Sequence, residues 1–145
     1  MSERMAPDAP LDRDEFRRWR AESDRALAAA RLQAEAGIFN WACFAAEQAA
    51  QLAVKALLHG AGRGPWGHDL VRLVEAVAAA GIDVSADAAD AARRLSRHYI
   101  PARYPYAHPS GSPASHYGRA DADEAVLDAE LLLAFADAAW EALGG

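Results

Sequence analysis

Cysteine is all but missing from this chain. Cys43 stands alone among 145 residues, so no intramolecular disulfide and no zinc site built on thiolates is available. Long apolar runs are missing too. None approaches the roughly 18 residues that a membrane-crossing helix needs, and the polar start, with Pro7 and Pro10, lacks the apolar core of a signal peptide. β-Branched residues are sparse, whereas alanine, the best helix former, is abundant. These absences point to a cytoplasmic, all-α protein without a membrane segment, whose core comes from close helix packing rather than from bulky side chains. At 145 residues the chain is long enough for one ordinary domain and too short for two.

Acidic residues are missing from one stretch. Arg93 to His116 contains Arg93, Arg94, Arg97 and Arg103, three histidines and no acid. Arg119 to Gly145 has one arginine against seven acids and so carries −6, the net charge of the whole chain. The overall acidity therefore says nothing against an anionic ligand; the local distribution matters.

Periodicity divides the chain into a leader over residues 1–13 and a helical domain over 14–145. In the first helix Phe16, Trp19, Ser23, Ala26, Ala30 and Ala34 share a face, and Gly37 marks a tight joint. A second, central helix runs from about Ile38 to His59, with a stripe of Ile38, Trp41, Ala45, Ala49, Leu52 and Ala56 widened by Phe44, Leu57 and Leu58. The third starts near His68-Asp69 and buries Leu70, Leu73, Val74 and Val77 before Gly81 ends it. Ser85 caps a fourth, which carries Ala88, Ala92, Leu95 and Tyr99 inward and stops before Pro101. A long loop over 101–118 precedes a last helix from about Ala120 to Leu143. Short connections between such helices predict an up-down bundle of four to five helices.

The loop is where chemistry concentrates. All four tyrosines (Tyr99, Tyr104, Tyr106 and Tyr117) lie between Arg93 and Tyr117, with His98, His108 and His116. Arginine grips phosphate, tyrosine stacks on bases, and histidine moves protons near neutral pH. The plainer reading is a proline-stiffened loop whose tyrosines pack on the bundle and whose arginines answer the acidic last helix. The three histidines have no carboxylate or thiol nearby in sequence, so no metal is assigned, and no cofactor is implied. The run Gly60 to Gly67 lacks the Gly-Lys-Ser/Thr ending of a phosphate-binding loop. Asp69 reads as a helix cap, Lys55 as a side chain reaching out of the core, and Glu47 and Gln48 as polar partners for the Arg103-Tyr104-Pro105 segment. Trp19, Trp41 and Trp140 read as core or interface, and Trp66 as exposed.

The stretch Phe39 to Leu58, then His68-Asp69-Leu70, then His98-Tyr99-Ile100-Pro101-Ala102-Arg103-Tyr104-Pro105, and finally Tyr117 to Ala122, resemble in order and spacing the HEPN family (higher eukaryotes and prokaryotes nucleotide-binding domains). The Arg103-Tyr104-Pro105 run is similar to the branch with an Arg-Tyr-Pro signature. The resemblance implies a helical bundle that dimerises. It implies a minimal nucleotidyltransferase as partner in a toxin–antitoxin pair, and in some members metal-independent cleavage of RNA by an Arg-x4-6-His motif. Two segments fit that spacing: Arg93 to His98 and Arg103 to His108. Arg94 directly after Arg93, and Ile100 rather than tyrosine two beyond His98, depart from the nuclease pattern. The expected catalytic set is Arg103 and His108, with His98 and Arg93. Tyr104, Tyr106, Tyr99 and Arg97 are expected to hold RNA or a nucleotide, and Tyr104 is an expected acceptor if the partner transfers nucleotides to tyrosine. A non-catalytic nucleotide-binding module and a helical scaffold protein are the alternatives.

Overall fold

The structure is a computed structural model that describes residues 10–145. Of the expected leader, residues 1–9 lie outside the described residues; Leu11 packs against the core. Asp12 caps α1 (Arg13–Glu35), its side chain accepting from the Glu15 N–H. That bond satisfies one of the donors that a helix start leaves without a partner. Gly37, at φ 79°, turns the chain back into α2 (Phe39–Gly60), so the two helices form a hairpin. The Asp12 N–H donates to the Gly60 carbonyl at 2.8 Å, which fastens the start of α1 to the end of α2.

Two short helices follow, α3 (Leu70–Ala79) and α4 (Ala86–Ser96). Their caps are the expected ones: Asp69 accepts from Val71 and Arg72, Ser85 accepts from Ala88, and Gly81 turns at φ 86°. The last helix, α5 (Arg119–Ala142), lies parallel to α2, since the Gly144 carbonyl after it accepts from Arg13 at the start of α1. The described residues are helices joined by turns, with no strand.

The core is alanine-rich, as composition foretold. Ala30, Ala42, Ala46, Ala49, Ala50, Ala53 and Ala129 are fully inaccessible, and leucines from all five helices fill between them. Small side chains let the axes approach closely, and Gly60 takes this furthest. The Phe16 and Trp140 rings stack at 4.3 Å and 6° beside it. A Cβ on Gly60 would lie 2.5 Å from the Trp140 ring.

Two expectations change. The stripe assigned to α2 led with Ile38 and Trp41, and both are exposed, Trp41 at 43%. The helix is contacted by α1, α5, α3 and α4, and alanines bury it on nearly every side, so its few large apolar residues do not mark the inner face. The fourth helix ends at Ser96 rather than running to Ile100; residues 97–103 form successive turns, and Tyr99 is half-buried in them. The loop after Pro101 is not structureless. It holds two short 3-10 turns, Pro105–Ala107 and Pro113–His116, each started by a proline whose fixed φ suits it.

Candidate functional site

One face of α2 carries polar residues into an otherwise apolar helix. Asn40, Phe44, Glu47 and Gln51 follow at steps of four, three and four, which places them in one row. Three of them touch the segments that matter here, and Glu47 bonds within the row. The Asn40 amide donates to the Ala102 carbonyl at 3.0 Å, and the Phe44 ring lies under Arg103. The Gln51 amide donates both to Glu47, at 2.6 Å, and to the His68 carbonyl, at 2.8 Å. The row therefore ties the turn at 97–103 and the loop before α3 to the middle of the bundle. Glu47 and Gln48 were expected to bond the Arg103-Tyr104-Pro105 segment. Instead Gln48 donates to Glu47, and the hydrogen bond from α2 into that neighbourhood is made by Asn40.

Arg103 sits in an aromatic cage. Its guanidinium carbon lies 4.4 Å from the Phe44 ring centre, 4.5 Å from Tyr99 and 4.8 Å from Tyr104. Its Nε donates to the Tyr99 carbonyl at 2.7 Å, which fixes the fork. Of its other nitrogens only one reaches a protein oxygen, the Tyr104 hydroxyl at 3.4 Å. Among the described residues no carboxylate bonds it, so the fork keeps N–H donors for an anion. The rings continue outward. Tyr104 stacks on Tyr106 at 5.6 Å and 19°, and Tyr106 is 77% exposed. On the other side His68 stacks on Tyr99 at 5.7 Å and 15°.

The histidines gather separately, around Tyr117. His98 Nδ1 lies 3.0 Å from the Tyr117 hydroxyl. Burial lowers the His98 pKa from its ordinary value and pushes the Tyr117 phenol up to about 12, so the pair is neutral at pH 7. His108 and His116 stack face to face at 4.3 Å and 7°, with the edge of Tyr117 against His108. His108 Nε2 is 2.7 Å from the Pro101 carbonyl and His116 Nε2 is 2.6 Å from the Ser110 carbonyl. A carbonyl only accepts, so both Nε2 atoms carry hydrogen, and Nδ1 is the ring nitrogen left for a further bond in each.

Of the residues singled out from the sequence, the fold thus brings Arg103, Tyr99, Tyr104 and Tyr106 into one cluster, and His98 and His108 into another around Tyr117. Arg93 joins neither; it is exposed on α4 and paired with Asp90 one turn earlier. Arg97 is exposed just beyond α4. Arg94 makes a two-point bond to buried Asp128 of α5, at 2.8 and 2.9 Å, the answer to the acidic helix that the plainer reading expected of these arginines. Tyr117, Phe44, Asn40 and His68 carry more of the site than their sequence positions suggested. The polar row on α2 was the signal for Asn40 and its neighbours: an amide and a carboxylate on the inner side of an alanine-rich helix must meet partners there.

Glu47 is fully inaccessible. Burial pushes its carboxyl up to about 7, with Gln51, Gln48, Arg103 and Lys55 opposing that rise. A folded-state value above the ordinary 4.5 means that the native protein holds the proton more tightly than the unfolded chain. The corresponding stability is fully present below about pH 4.5 and is lost as pH rises through about 7. At 1.36 kcal/mol per unit the loss is about 3 kcal/mol. His98 has the opposite sign: its lowered value costs stability as pH falls below its ordinary 6.5. The variant Glu47→Gln isolates the first effect. It is expected to gain stability over wild type progressively between pH 5 and pH 8 in urea unfolding; a gain independent of pH in that range refutes the assignment.

The comparisons agree with one another. The HEPN domain family matches residues 16–139. A solved structure from Thermus thermophilus is 40% identical, with a TM-score of 0.82 over 86% of this chain and 97% of that one. An archaeal HEPN homologue is 31% identical, with a TM-score of 0.73 over 85% of this chain and 95% of its own. An HEPN domain protein of Thermotoga maritima is 29% identical, with a TM-score of 0.68 over 83% and 94%. No curated protein matches the sequence. Among the described residues no helix is long and apolar enough to cross a membrane.

Proposed function

This chain belongs to the HEPN family, and from that premise we propose that its Arg103 face binds RNA, as the toxin-like member of a pair with a minimal nucleotidyltransferase. The observation that carries the reading is the caged guanidinium. Three rings and one carbonyl hold Arg103 in place, yet donors are left over, and the stacked Tyr104 and Tyr106 lead from it to solvent. A phosphate on the fork and one base on Tyr106 is the arrangement that single-stranded nucleic acid asks for. In this reading a homodimer sets two such faces together, and Tyr104 accepts a nucleotide from the partner.

In the catalytic form of this reading the activity is metal-independent cleavage of RNA. His108, through its Nδ1, takes the 2′-hydroxyl proton, and the 2′-oxygen attacks the phosphorus as the 5′-oxygen leaves and takes a proton from water. Arg103 stabilises the charge that develops on the phosphate oxygens. The test is cleavage of single-stranded RNA in chelator. Wild type is expected to cleave, and His108→Ala to lose at least a hundredfold in rate while still binding RNA. Equal rates for the two remove His108 from the mechanism.

One observation favours binding without turnover. His98 is bonded to Tyr117 and His108 to the Pro101 carbonyl, so both rings hold the turn together. Under this second reading wild type and His108→Ala bind equally, neither cleaves, and the protein is a nucleotide-binding module.

A further inference from the structure

The loop between α2 and α3 builds a cavity whose lining lies outside the Arg103 cluster. Phe44 and Leu58 are about 20 Å apart along α2 at 1.5 Å per residue, and the cavity lies at the Leu58 end. Its volume is about 300 Å³. The floor is apolar, made by Leu58, Leu73 and Ala80, and the wall includes Trp66, Arg63 and Arg72.

Three features distinguish this place from an ordinary surface depression. Trp66 is 90% exposed, so its ring contributes almost nothing to the core and leaves a large flat apolar face beside an apolar floor. Two arginines line the cavity and no acid does, in a chain with a net charge of −6. Arg72 reaches only Glu75, at 3.5 Å and with both side chains largely exposed, and Arg63 makes no ion pair among the described residues. Finally, the loop has a set shape. Gly62 and Gly67 turn at φ 77° and 84°, and the Arg63 N–H donates to the Leu58 carbonyl at 2.8 Å. These hold the loop backbone against the end of α2.

We propose that this cavity is a binding site for a small aromatic carboxylate, whose ring lies on the apolar floor against Trp66 while its carboxylate bridges Arg63 and Arg72. Two arginines lining one cavity attract an anion, and the carboxylate suits the planar guanidinium fork. The space is at the lower end for ligand cavities, which fits one ring and its acid group. The site is independent of the RNA-binding reading, because no residue of it belongs to the Arg103 cluster.

The test uses 3-phenylpropanoate and its neutral amide as probes, followed by the indole N–H signal of Trp66 in NMR and assigned by its loss in Trp66→Phe. The acid is expected to shift that signal saturably, and the amide to bind at least tenfold more weakly. Arg63→Gln with Arg72→Gln, both exposed positions, is expected to weaken the acid at least tenfold, and Arg103→Ala to leave it unchanged. Absence of a saturable shift overturns the proposal, as does equal binding of acid and amide or indifference to the two glutamine substitutions. An equal loss in Arg103→Ala would instead assign the shift to the RNA face and also overturn it.

Discussion

Arg103→Ala is expected to lower affinity for a single-stranded oligoribonucleotide at least a hundredfold and to leave the bundle folded. The substitution removes a charge-assisted contact to phosphate, and a hydrogen bond to a charged group contributes about 1.5–3 kcal/mol. It also removes the group on which Tyr99 and Tyr104 stand, so the tyrosine ladder loses its base. Arg103→Lys restores the charge and not the planar fork. A lysine at this place cannot donate to the Tyr99 carbonyl and lie flat between three rings at once, so it is expected to stay at least tenfold weaker than wild type. Tyr106→Ala is a smaller loss, about 1–3 kcal/mol for one stacked base. Fluorescence anisotropy at fixed ionic strength, with a melting curve for each variant, gives the answer. Binding by Arg103→Ala within twofold of wild type, at an unchanged Tm, would reduce the cage to packing.

The largest loss of stability is expected at Gly60. Gly60→Ala drives a methyl group to within 2.5 Å of the Trp140 ring and 3.0 Å of Phe16. Neither can yield easily: the two rings are stacked on each other, and Asp12 pins the adjoining backbone. Overpacking of this kind costs about 3 kcal/mol. Gly64→Ala is the control, because nothing lies within 4 Å of its added Cβ and no positive φ is involved; it should fall within about 1 kcal/mol of wild type. Trp140→Phe removes the ring atoms that collide, so adding it to Gly60→Ala should recover part of the loss in urea denaturation. A Gly60→Ala protein as stable as wild type would mean that α5 shifts freely on α2, contrary to a close-packed core.

What was legible in the sequence was mostly local. Asp69, Ser85 and Gly81 announce their helix ends because a cap is made by a residue and its next three neighbours. The inner face of α3 was legible because its partners cover one side only: Leu70, Leu73, Val74 and Val77 are its buried residues. The family was legible because several short motifs kept their order. The cluster of Arg103 with its tyrosines was within reach for a similar reason, since Tyr99, Arg103, Tyr104 and Tyr106 span eight positions and a tight turn brings them together.

Tertiary structure decided everything that depends on partners far along the chain. On α2 periodicity misled, because a helix surrounded by four others has no apolar side to mark, and Trp41 could be exposed while Glu47 was buried. Whether a histidine pairs with an arginine is likewise not a property of spacing. His98 finds Tyr117, 19 residues on, and Arg94 finds Asp128, 34 residues on. The sequence determined that this is a helical HEPN chain with an arginine–tyrosine segment. Only the packing of α2 against the turn at 97–103 decided that Arg103 is the arginine held on aromatic rings with donors to spare. The reason is physical: caps and turns are settled by neighbouring backbone, whereas burial, stacking and ion pairing are settled by whichever distant side chain reaches the same place.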